Sequence, residues 1–178
     1  MDIIQLHKFA TLFKDAVKEV KIETDFNKAD HVFGYQLLLD FYGCKKEVCD
    51  DMELAYDFLD KVVEHIGMNK MQPPQILRGD AKKYPEKGPG LSGWIPLIES
   101  SVVMHTLSKK NFISIDVYSC KYFNAQDALE FAVKYFKPKM VEYQTAERGV
   151  DYYTSQSKHH SLKVLKGKTE VINREHRQ

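Results

Sequence analysis

The sequence lacks several features that would place a protein in a class at once. No apolar run approaches the roughly 18 to 20 residues that cross a bilayer. The N-terminal stretch carries charges throughout instead of the basic-then-apolar pattern of a secretion signal. The formal net charge is only +1 at pH 7, which gives no reason to expect a nucleic acid or a membrane surface as partner. We therefore expect a cytoplasmic protein with neither kind of partner.

Cysteine is also scarce. Three thiols, Cys44, Cys49 and Cys120, cannot form a closed set of disulfides. No second cysteine pair or histidine pair accompanies Cys44 and Cys49, which argues against a zinc site, and we expect no metal. Cys44 and Cys49 fit the ordinary role of small buried side chains, whereas Cys120 stands in a different setting.

What is present indicates one soluble domain. The chain has 178 residues, of which 43% are hydrophobic and 29% charged, as in ordinary globular proteins. We assign residues 1–150 to a single domain and residues 151–178 to a polar, basic extension. That extension either folds on a partner or is a weakly ordered tail.

Hydrophobic periodicity predicts both helices and strands. The predicted helices cover residues 3–20, 52–66 and 124–136. The predicted strands cover residues 35–42, 93–106, 111–120 and 139–145, with an irregular or edge segment over 68–77 and a loop over 78–90. Two units in which a strand precedes a helix indicate an α+β fold, a two-layer sandwich of an antiparallel sheet covered on one face by helices. The uncovered face is then available for self-association.

The stretch from Leu91 to Cys120 carries more chemistry than a core requires. It holds Ser92, the dipeptide Glu99-Ser100, His105 and Cys120 within runs typical of buried strands. Each group alone is common in a structural role, so the joint spacing is what indicates a site. Ser100 and His105 are an odd number of residues apart and would face opposite sides of a regular strand. A bulge, a kink or a break must therefore bring them together.

A resemblance to a known family rests on five short segments. They are DFYGC at 40–44, GLSG at 90–93, LIESSVVMHT at 97–106, DVYSC at 116–120 and AERG at 146–149. Through them the chain resembles, from about residue 34 to residue 152, the small prokaryotic type of S-adenosylmethionine decarboxylase, a pyruvoyl enzyme of polyamine biosynthesis. The spacing of eight residues from Ser92 to Ser100, five to His105 and fifteen to Cys120 matches that family's processing and catalytic set.

The resemblance implies that the chain cleaves itself between Glu99 and Ser100. The Ser100 hydroxyl attacks the Glu99 carbonyl to give an ester, elimination releases the fragment ending at Glu99, and hydrolysis leaves a pyruvoyl group in place of Ser100. This pyruvoyl cofactor forms a Schiff base with the amine of a small amino-acid-type substrate and acts as an electron sink for decarboxylation. His105 and Ser92 match positions that assist processing, and Cys120 matches the proton donor. A homodimer of cleaved protomers, with sites completed near the interface, is implied as well.

The sequence departs from the family at the positions where the family binds its substrate. The family's HTWPE appears here as HTLSK at 105–109, and Ser101 replaces the usual histidine. Leu107 has no π face for stacking on adenine, and Lys109 is a donor where an acceptor is expected for ribose hydroxyls. The loop over 78–90 looks longer than the family's, and its Tyr84 and Glu86 are candidates to line a rebuilt pocket.

These departures leave three functions open. The first is decarboxylation of S-adenosylmethionine. The second is the same pyruvoyl chemistry on another amino acid, arginine or ornithine, whose cationic end suits an acidic side chain. The third is a non-catalytic, decarboxylase-like regulatory subunit, against which the intact serine, histidine and cysteine set counts.

Overall fold

The structure is a computed structural model that describes Phe26, residues 32–80, 82–83, 85–86 and 88–149, and the backbone of 159–165 and 168–174. The helix predicted over residues 3–20 lies outside the described residues. So does Tyr84, and so does most of the connector before the first strand.

Strands and helices follow one another along the described chain in a mixed order. They are β1 (Gly34–Tyr42), α1 (Lys46–Cys49), α2 (Met52–His65), β2 (Gln75–Arg78), β3 (Leu91–Leu97), β4 (Ser100–Leu107), β5 (Phe112–Ser119), α3 (Ala125–Phe136), β6 (Met140–Arg148), β7 (His159–Leu165) and β8 (Lys168–Arg174). A 3₁₀ turn at Ser108–Lys110 joins β4 to β5. The first six strands form one sheet in the order β2-β3-β4-β5-β1-β6, with every neighbouring pair antiparallel.

Helices cover one face of the six-stranded sheet. In β1, Leu37, Leu39 and Phe41 are buried, while Leu38 and Asp40 between them are partly exposed. The same alternation runs through β3, β4 and β5, as expected when only one face meets the core. Helix α2 packs against α3 and β3. The predicted α+β two-layer sandwich is therefore confirmed.

Both long helices begin at the side chains expected to cap them. The Asp51 carboxylate accepts a hydrogen bond from the Leu54 N–H at 2.9 Å, and the Asn124 side chain accepts one from the Asp127 N–H at 3.0 Å. Helix α2 ends before Gly67, whose φ of 70° needs a residue without a Cβ.

The single strand predicted over residues 93–106 is wrong, because the chain turns back in its middle. Strand β3 ends at Leu97, a turn at Ile98 and Glu99 follows, and β4 begins at Ser100. The turn contains none of the glycine, proline or asparagine residues that usually mark one. It is held by partners distant in sequence, so local composition gave no sign of it.

The GLSG segment brings β3 close to its neighbours. A Cβ on Gly90 would overlap the Thr106 carbonyl oxygen, and one on Gly93 would lie 2.9 Å from Cδ1 of Leu59 in α2. The two glycines therefore let β3 approach the end of β4 on one side and α2 on the other. This close packing fixes Ser92, which lies between them.

Beyond β6, strands β7 and β8 pair with each other in a separate two-stranded sheet. Sequence analysis assigned this region to a polar extension and predicted no strands there; the domain boundary at residue 150 stays a prediction. Among the described residues, no helix combines the length and the apolar character needed to cross a bilayer.

Candidate active site

The peptide bond between Glu99 and Ser100 lies at the tight turn between β3 and β4. Ser100 has a φ of 145°, one of three positive values among the non-glycine residues that the structure describes. A side chain in this region of backbone space is strained by about 1 to 3 kcal/mol and persists only where its surroundings enforce it. Strain is therefore stored in the backbone of Ser100, the residue that follows the bond that the resemblance marks for cleavage.

Several hydrogen bonds fix Glu99 on the amino-terminal side of this bond. Its carbonyl oxygen accepts the Cys120 N–H at 2.8 Å. Its side chain is bound at both oxygens by Asn69, through the backbone N–H at 3.0 Å and the amide Nδ2 at 2.7 Å. The hydrogen bond from the Asn69 N–H is the main reason that the pKa of Glu99 is lowered despite partial burial. Glu99 is thus an ionised, immobilised residue at the turn.

The Ser100 side of the bond is held by the sheet. Ser100 pairs with Leu97 across the hairpin and with Ser119 of β5 on its other side. Ser119 is completely buried, and its hydroxyl donates to the Met68 sulfur at 3.4 Å while accepting the Lys121 N–H at 3.0 Å. Cys120, directly after Ser119, is exposed. The candidate nucleophile and the candidate proton donor therefore lie at the same end of the sheet.

Ser92 and His105 form a second group on the open face of the sheet. They are opposite each other in the β3–β4 register, and the Ser92 hydroxyl lies 3.0 Å from Nδ1 of His105. His105 is exposed. A serine hydroxyl in contact with an imidazole can relay a proton, which is the chemistry that assisted cleavage requires.

These two groups do not meet within one chain. Ser100 and His105 are both in β4, five residues apart, which in a strand is about 16 Å. The alternation of β4 also puts His105 on the open face, whereas Ser100 falls in step with the buried Val102. The structure brings Ser92 to His105 and Cys120 to Glu99-Ser100. The bulge, kink or break expected to bring Ser100 and His105 together is not seen, because β4 keeps an unbroken register with both neighbours from Ser100 to His105.

Three carboxylates share the open face near His105. Asp40, Asp116 and Glu142 line a small cavity of about 140 Å³. Burial, followed by the charges of Glu142 and Asp116, raises the pKa of Asp40. Burial also raises the pKa of Asp116, although His105 acts in the opposite direction. Asp40 is half-buried in β1, which has a neighbouring strand on each side.

The candidate substrate-reading residues lie at the opposite end of β4 from Ser100. The Lys109 ammonium donates to the Pro85 carbonyl at 2.7 Å, so it fastens the loop over 78–90 instead of facing the Ser100 turn. Leu107 is half-buried and pairs with Phe112, and Glu86 is exposed in the loop. Tyr84 lies outside the described residues. Leu107 is therefore at the other end of β4, seven residues from Ser100.

Sequence reasoning missed Asn69, the residue that holds Glu99. It is in the irregular segment between α2 and β2, thirty positions from its partner. No local pattern marks an asparagine as a partner of one particular carboxylate, so only the fold reveals it. In the part of the chain that the structure describes, no cluster of three or more histidine, cysteine or acidic side chains is suited to hold a metal ion.

The arrangement of these side chains on the sheet indicates a class of protein. A sheet that presents a serine hydroxyl at a strained turn, a thiol beside it and an imidazole on its open face is typical of an enzyme whose own side chains supply nucleophile and proton transfer. Comparisons with known proteins then identify the family. A family model described as S-adenosylmethionine decarboxylase matches residues 35–149. The chain belongs to the S-adenosylmethionine decarboxylase family.

Individual relatives agree with this family. The S-adenosylmethionine decarboxylase proenzyme of Persephonella marina is 31% identical over 124 residues, which cover 67% of this chain and 85% of the relative. The proenzyme of Aquifex aeolicus is 26% identical over 134 residues, covering 74% and 93% of the two chains. The crystal structure of the adenosylmethionine decarboxylase from Aquifex aeolicus shares the fold, with a TM-score of 0.60 at 23% identity, over 71% of this chain and 98% of that one.

Proposed function

We propose that the chain is a self-processing, pyruvoyl-dependent decarboxylase of polyamine biosynthesis that acts on S-adenosylmethionine. The observation that carries this proposal is the strained backbone of Ser100 directly after the Glu99 carbonyl, which is bound by the Cys120 N–H. The relatives are proenzymes by name, which fits a chain that must be cut before it acts.

The local geometry supports the first step of self-cleavage. Attack of the Ser100 hydroxyl on the Glu99 carbonyl forms a C–O bond and breaks the C–N bond, and negative charge develops on the carbonyl oxygen. The Cys120 N–H, 2.8 Å from that oxygen, is placed to stabilise this charge. Loss of the Ser100 α-proton then expels the Glu99 carboxylate. One water is consumed and one ammonia released as the residue becomes a pyruvoyl group.

The resulting group fits the position of Ser100. Residue 100 is anchored by β5, partly exposed, and adjacent to the exposed Cys120. A pyruvoyl ketone there supplies an electron sink for loss of a carboxylate from an amino acid. The Cys120 thiol is the candidate to deliver a proton to the substrate carbon.

The position of Ser92 and His105 supports a homodimer. At about 16 Å from Ser100 along β4, they are too far to assist cleavage in their own chain. They lie on the open sheet face, beside Trp94, which is 38% exposed, and partly exposed Val103. We therefore propose that two copies pack open face to open face, so that the Ser92–His105 pair of one protomer serves the Ser100 turn of the other.

A second candidate function uses the same chemistry on arginine or ornithine. The observation that favours it is the Lys109 ammonium bound to the Pro85 carbonyl, where the family places an acceptor for ribose hydroxyls. A carbon dioxide release assay with S-adenosylmethionine, arginine and ornithine side by side separates the two. Release from S-adenosylmethionine alone supports the first candidate, and release from either basic amino acid alone supports the second.

Self-cleavage itself is tested by a denaturing gel with intact-mass measurement. We expect one fragment from Met1 to Glu99 and a second that begins at residue 100, lacks a free amine and is lighter by one ammonia than a simple hydrolysis product. A single uncut chain after long incubation would contradict the proposal and favour a non-catalytic, regulatory role.

A further inference from the structure

The bond marked for cleavage is held by contacts on both of its sides. The residues after it belong to β4, which pairs with β5 from Ser100 onward. The residues before it pair with β4 and also contact a further segment, the one that leaves α2. The Asn69 carbonyl accepts the Ile98 N–H at 2.9 Å, and the Pro96 carbonyl accepts the Met71 N–H at 3.0 Å.

The strongest single attachment on the Glu99 side is the side-chain contact with Asn69. One residue supplies two donors to the two oxygens of one carboxylate, at 3.0 Å from the backbone and 2.7 Å from the amide. Hydrogen bonds to a charged acceptor are about twice as strong as neutral ones. Glu99 is only 9% exposed, so water competes little for these oxygens. The Glu99 side chain is therefore fixed in one orientation.

Fixing the side chain also fixes the reacting carbonyl. With its carboxylate on Asn69 and its carbonyl on Cys120, Glu99 has little freedom to rotate. Ser100 is paired with Ser119, so its backbone must join this fixed strand to the fixed Glu99. It does so by adopting a strained φ of 145°. Release of either anchor would let Ser100 relax.

We propose that Asn69 is a positioning residue for self-cleavage: by binding both oxygens of the Glu99 side chain, it keeps the Glu99 carbonyl on the Cys120 N–H and Ser100 in its strained conformation. This role rests on the self-cleavage proposed above. It requires a donor on residue 69 and an acceptor on residue 99, which makes it testable by exchanging the two.

The test compares cleavage rates of the full-length chain and its Asn69→Asp variant. The variant keeps the shape of the side chain but places a second carboxylate against Glu99. Repulsion between two ionised carboxylates at this distance is unfavourable. At about pH 8 we expect cleavage at least about tenfold slower than in the wild type, the order expected for a lost hydrogen bond to a charged group. At about pH 5 a proton shared by the pair restores the donor, and the rate relative to the wild type recovers.

Two lysines near the Asn69–Glu99 pair also have to be considered in the pH dependence of the cleavage rate. Lys121 follows Cys120, favours the ionised form of Glu99 and donates its ammonium to the Gly67 carbonyl at 2.8 Å. Lys70, next to Asn69, is bound to Asp60 and Glu64. Both cations are present in wild type and variant alike, so the ratio of the two rates isolates the added carboxylate.

A donor exchange and a matched control complete the experiment. The double variant Asn69→Asp, Glu99→Gln puts the donor on residue 99 and the acceptor on residue 69, and we expect it to regain most of the cleavage rate at about pH 8. Asn111→Asp, at the other end of β4, makes the same chemical change on an exposed residue and should cleave like the wild type. Circular dichroism and thermal melting verify that each variant is folded.

The outcomes separate this proposal from the one on which it rests. A wild-type chain that stays uncut overturns both. If the wild type cleaves and Asn69→Asp cleaves equally fast at about pH 8, only the role of Asn69 is overturned. The same holds for a folded Asn69→Asp variant whose slow cleavage neither recovers at about pH 5 nor is rescued by Glu99→Gln.

Discussion

Ser100 is under two constraints that a single residue rarely meets together. It must continue the β4 ladder opposite Ser119, and it must also join that ladder to a turn that the α2–β2 segment holds in place. A φ of 145° reconciles the two at a cost in conformational energy. Strain of this kind is useful when the peptide bond next to the strained residue is to be broken.

The Ser100 hydroxyl should be indispensable, whereas that of its neighbour should not. We expect Ser100→Ala to stay uncut and to release no carbon dioxide, because it lacks the hydroxyl that is proposed to attack the Glu99 carbonyl. Ser101→Ala is the matched control: Ser101 belongs to the other face of β4, so this variant should cleave. Mass spectrometry of both purified chains is the measurement. Cleavage of Ser100→Ala would refute the assignment of the nucleophile.

The Cys120→Ala variant should distinguish self-cleavage from decarboxylation. Its backbone N–H binds the Glu99 carbonyl and remains in Cys120→Ala, so the variant should be cut. Its thiol does not remain, and loss of a proton donor lowers turnover by roughly 10² to 10⁴-fold. Gel analysis gives the cleavage and a carbon dioxide release assay gives the turnover. Full activity in a cleaved Cys120→Ala protein would remove the thiol from the mechanism.

Asp40 should destabilise the fold as the pH rises. Burial, with Glu142 and Asp116 nearby, raises its pKa in the folded chain above the value of about 4 that an unfolded chain has. The folded state therefore holds the proton more tightly, and stability is lost as the pH rises from about 4 through the raised pKa. Asp40→Asn cannot ionise, so we expect its melting temperature to exceed that of the wild type at neutral pH, with no advantage below about pH 4.

The matched control for this change is Glu86→Gln. It neutralises an exposed carboxylate in the loop over 78–90. Its melting temperature should therefore match that of the wild type both at neutral pH and below about pH 4. A neutral-pH melting temperature for Asp40→Asn at or below that of the wild type would mean that the Asp40 charge carries no penalty in the fold.

At the residue scale, the candidate groups Ser92, Ser100, His105 and Cys120 came from their spacing together with the family resemblance, and their roles stay predictions. The residue that holds Glu99 was not predicted. Asn69 acts through the fold alone: any donor at the right place would satisfy Glu99, so composition could not single it out.

Helix α2 sets the position of Asn69, and its own start depends on one carboxylate. Asp51 accepts the Leu54 N–H at 2.9 Å. We expect Asp51→Ala to lower the free energy of unfolding by about 1 kcal/mol, the usual loss on removing an N-cap. Asp51→Asn is the control, because asparagine caps nearly as well and removes the charge. Urea denaturation of both variants is the measurement, and equal losses would mean that the charge matters and the cap does not.

Elements with strong local signals were predicted well, and the β3–β4 hairpin was not. The runs that became β1, α2 and α3 have clear periodicity and explicit start and stop residues. The run over 93–106 reads as one β-rich segment, because its turn at Ile98 and Glu99 uses residues that also suit strands. That turn is specified by Asn69 and Cys120, and contacts at such separation are not encoded in a window of neighbouring residues.

On the scale of the whole molecule, the open face of the sheet carries apolar and reactive side chains side by side. Partly exposed Val103 lies between Trp94 and Asp116 in the strand register, and Ser92 and His105 are opposite each other in the next pair. Packing two such faces together would bury the apolar side chains and bring each imidazole toward the other protomer. In the proposed dimer, the two separate groups of one chain would each be completed by the other protomer.

Mixed dimers test this arrangement directly. His105→Ala keeps the Ser100 turn but lacks the imidazole, and Ser100→Ala keeps the imidazole but lacks the hydroxyl that attacks the Glu99 carbonyl. Neither should cleave alone. If the imidazole acts across the interface, co-expression of the two with different tags should yield cut His105→Ala chains, because their partners supply His105. The double variant Ser100→Ala, His105→Ala as partner is the control and should yield none. Mixed dimers, isolated through both tags, in which every chain stays uncut would place His105 in its own protomer's site. That outcome would require β4 to rearrange by about 16 Å, because five strand residues separate the imidazole from Ser100.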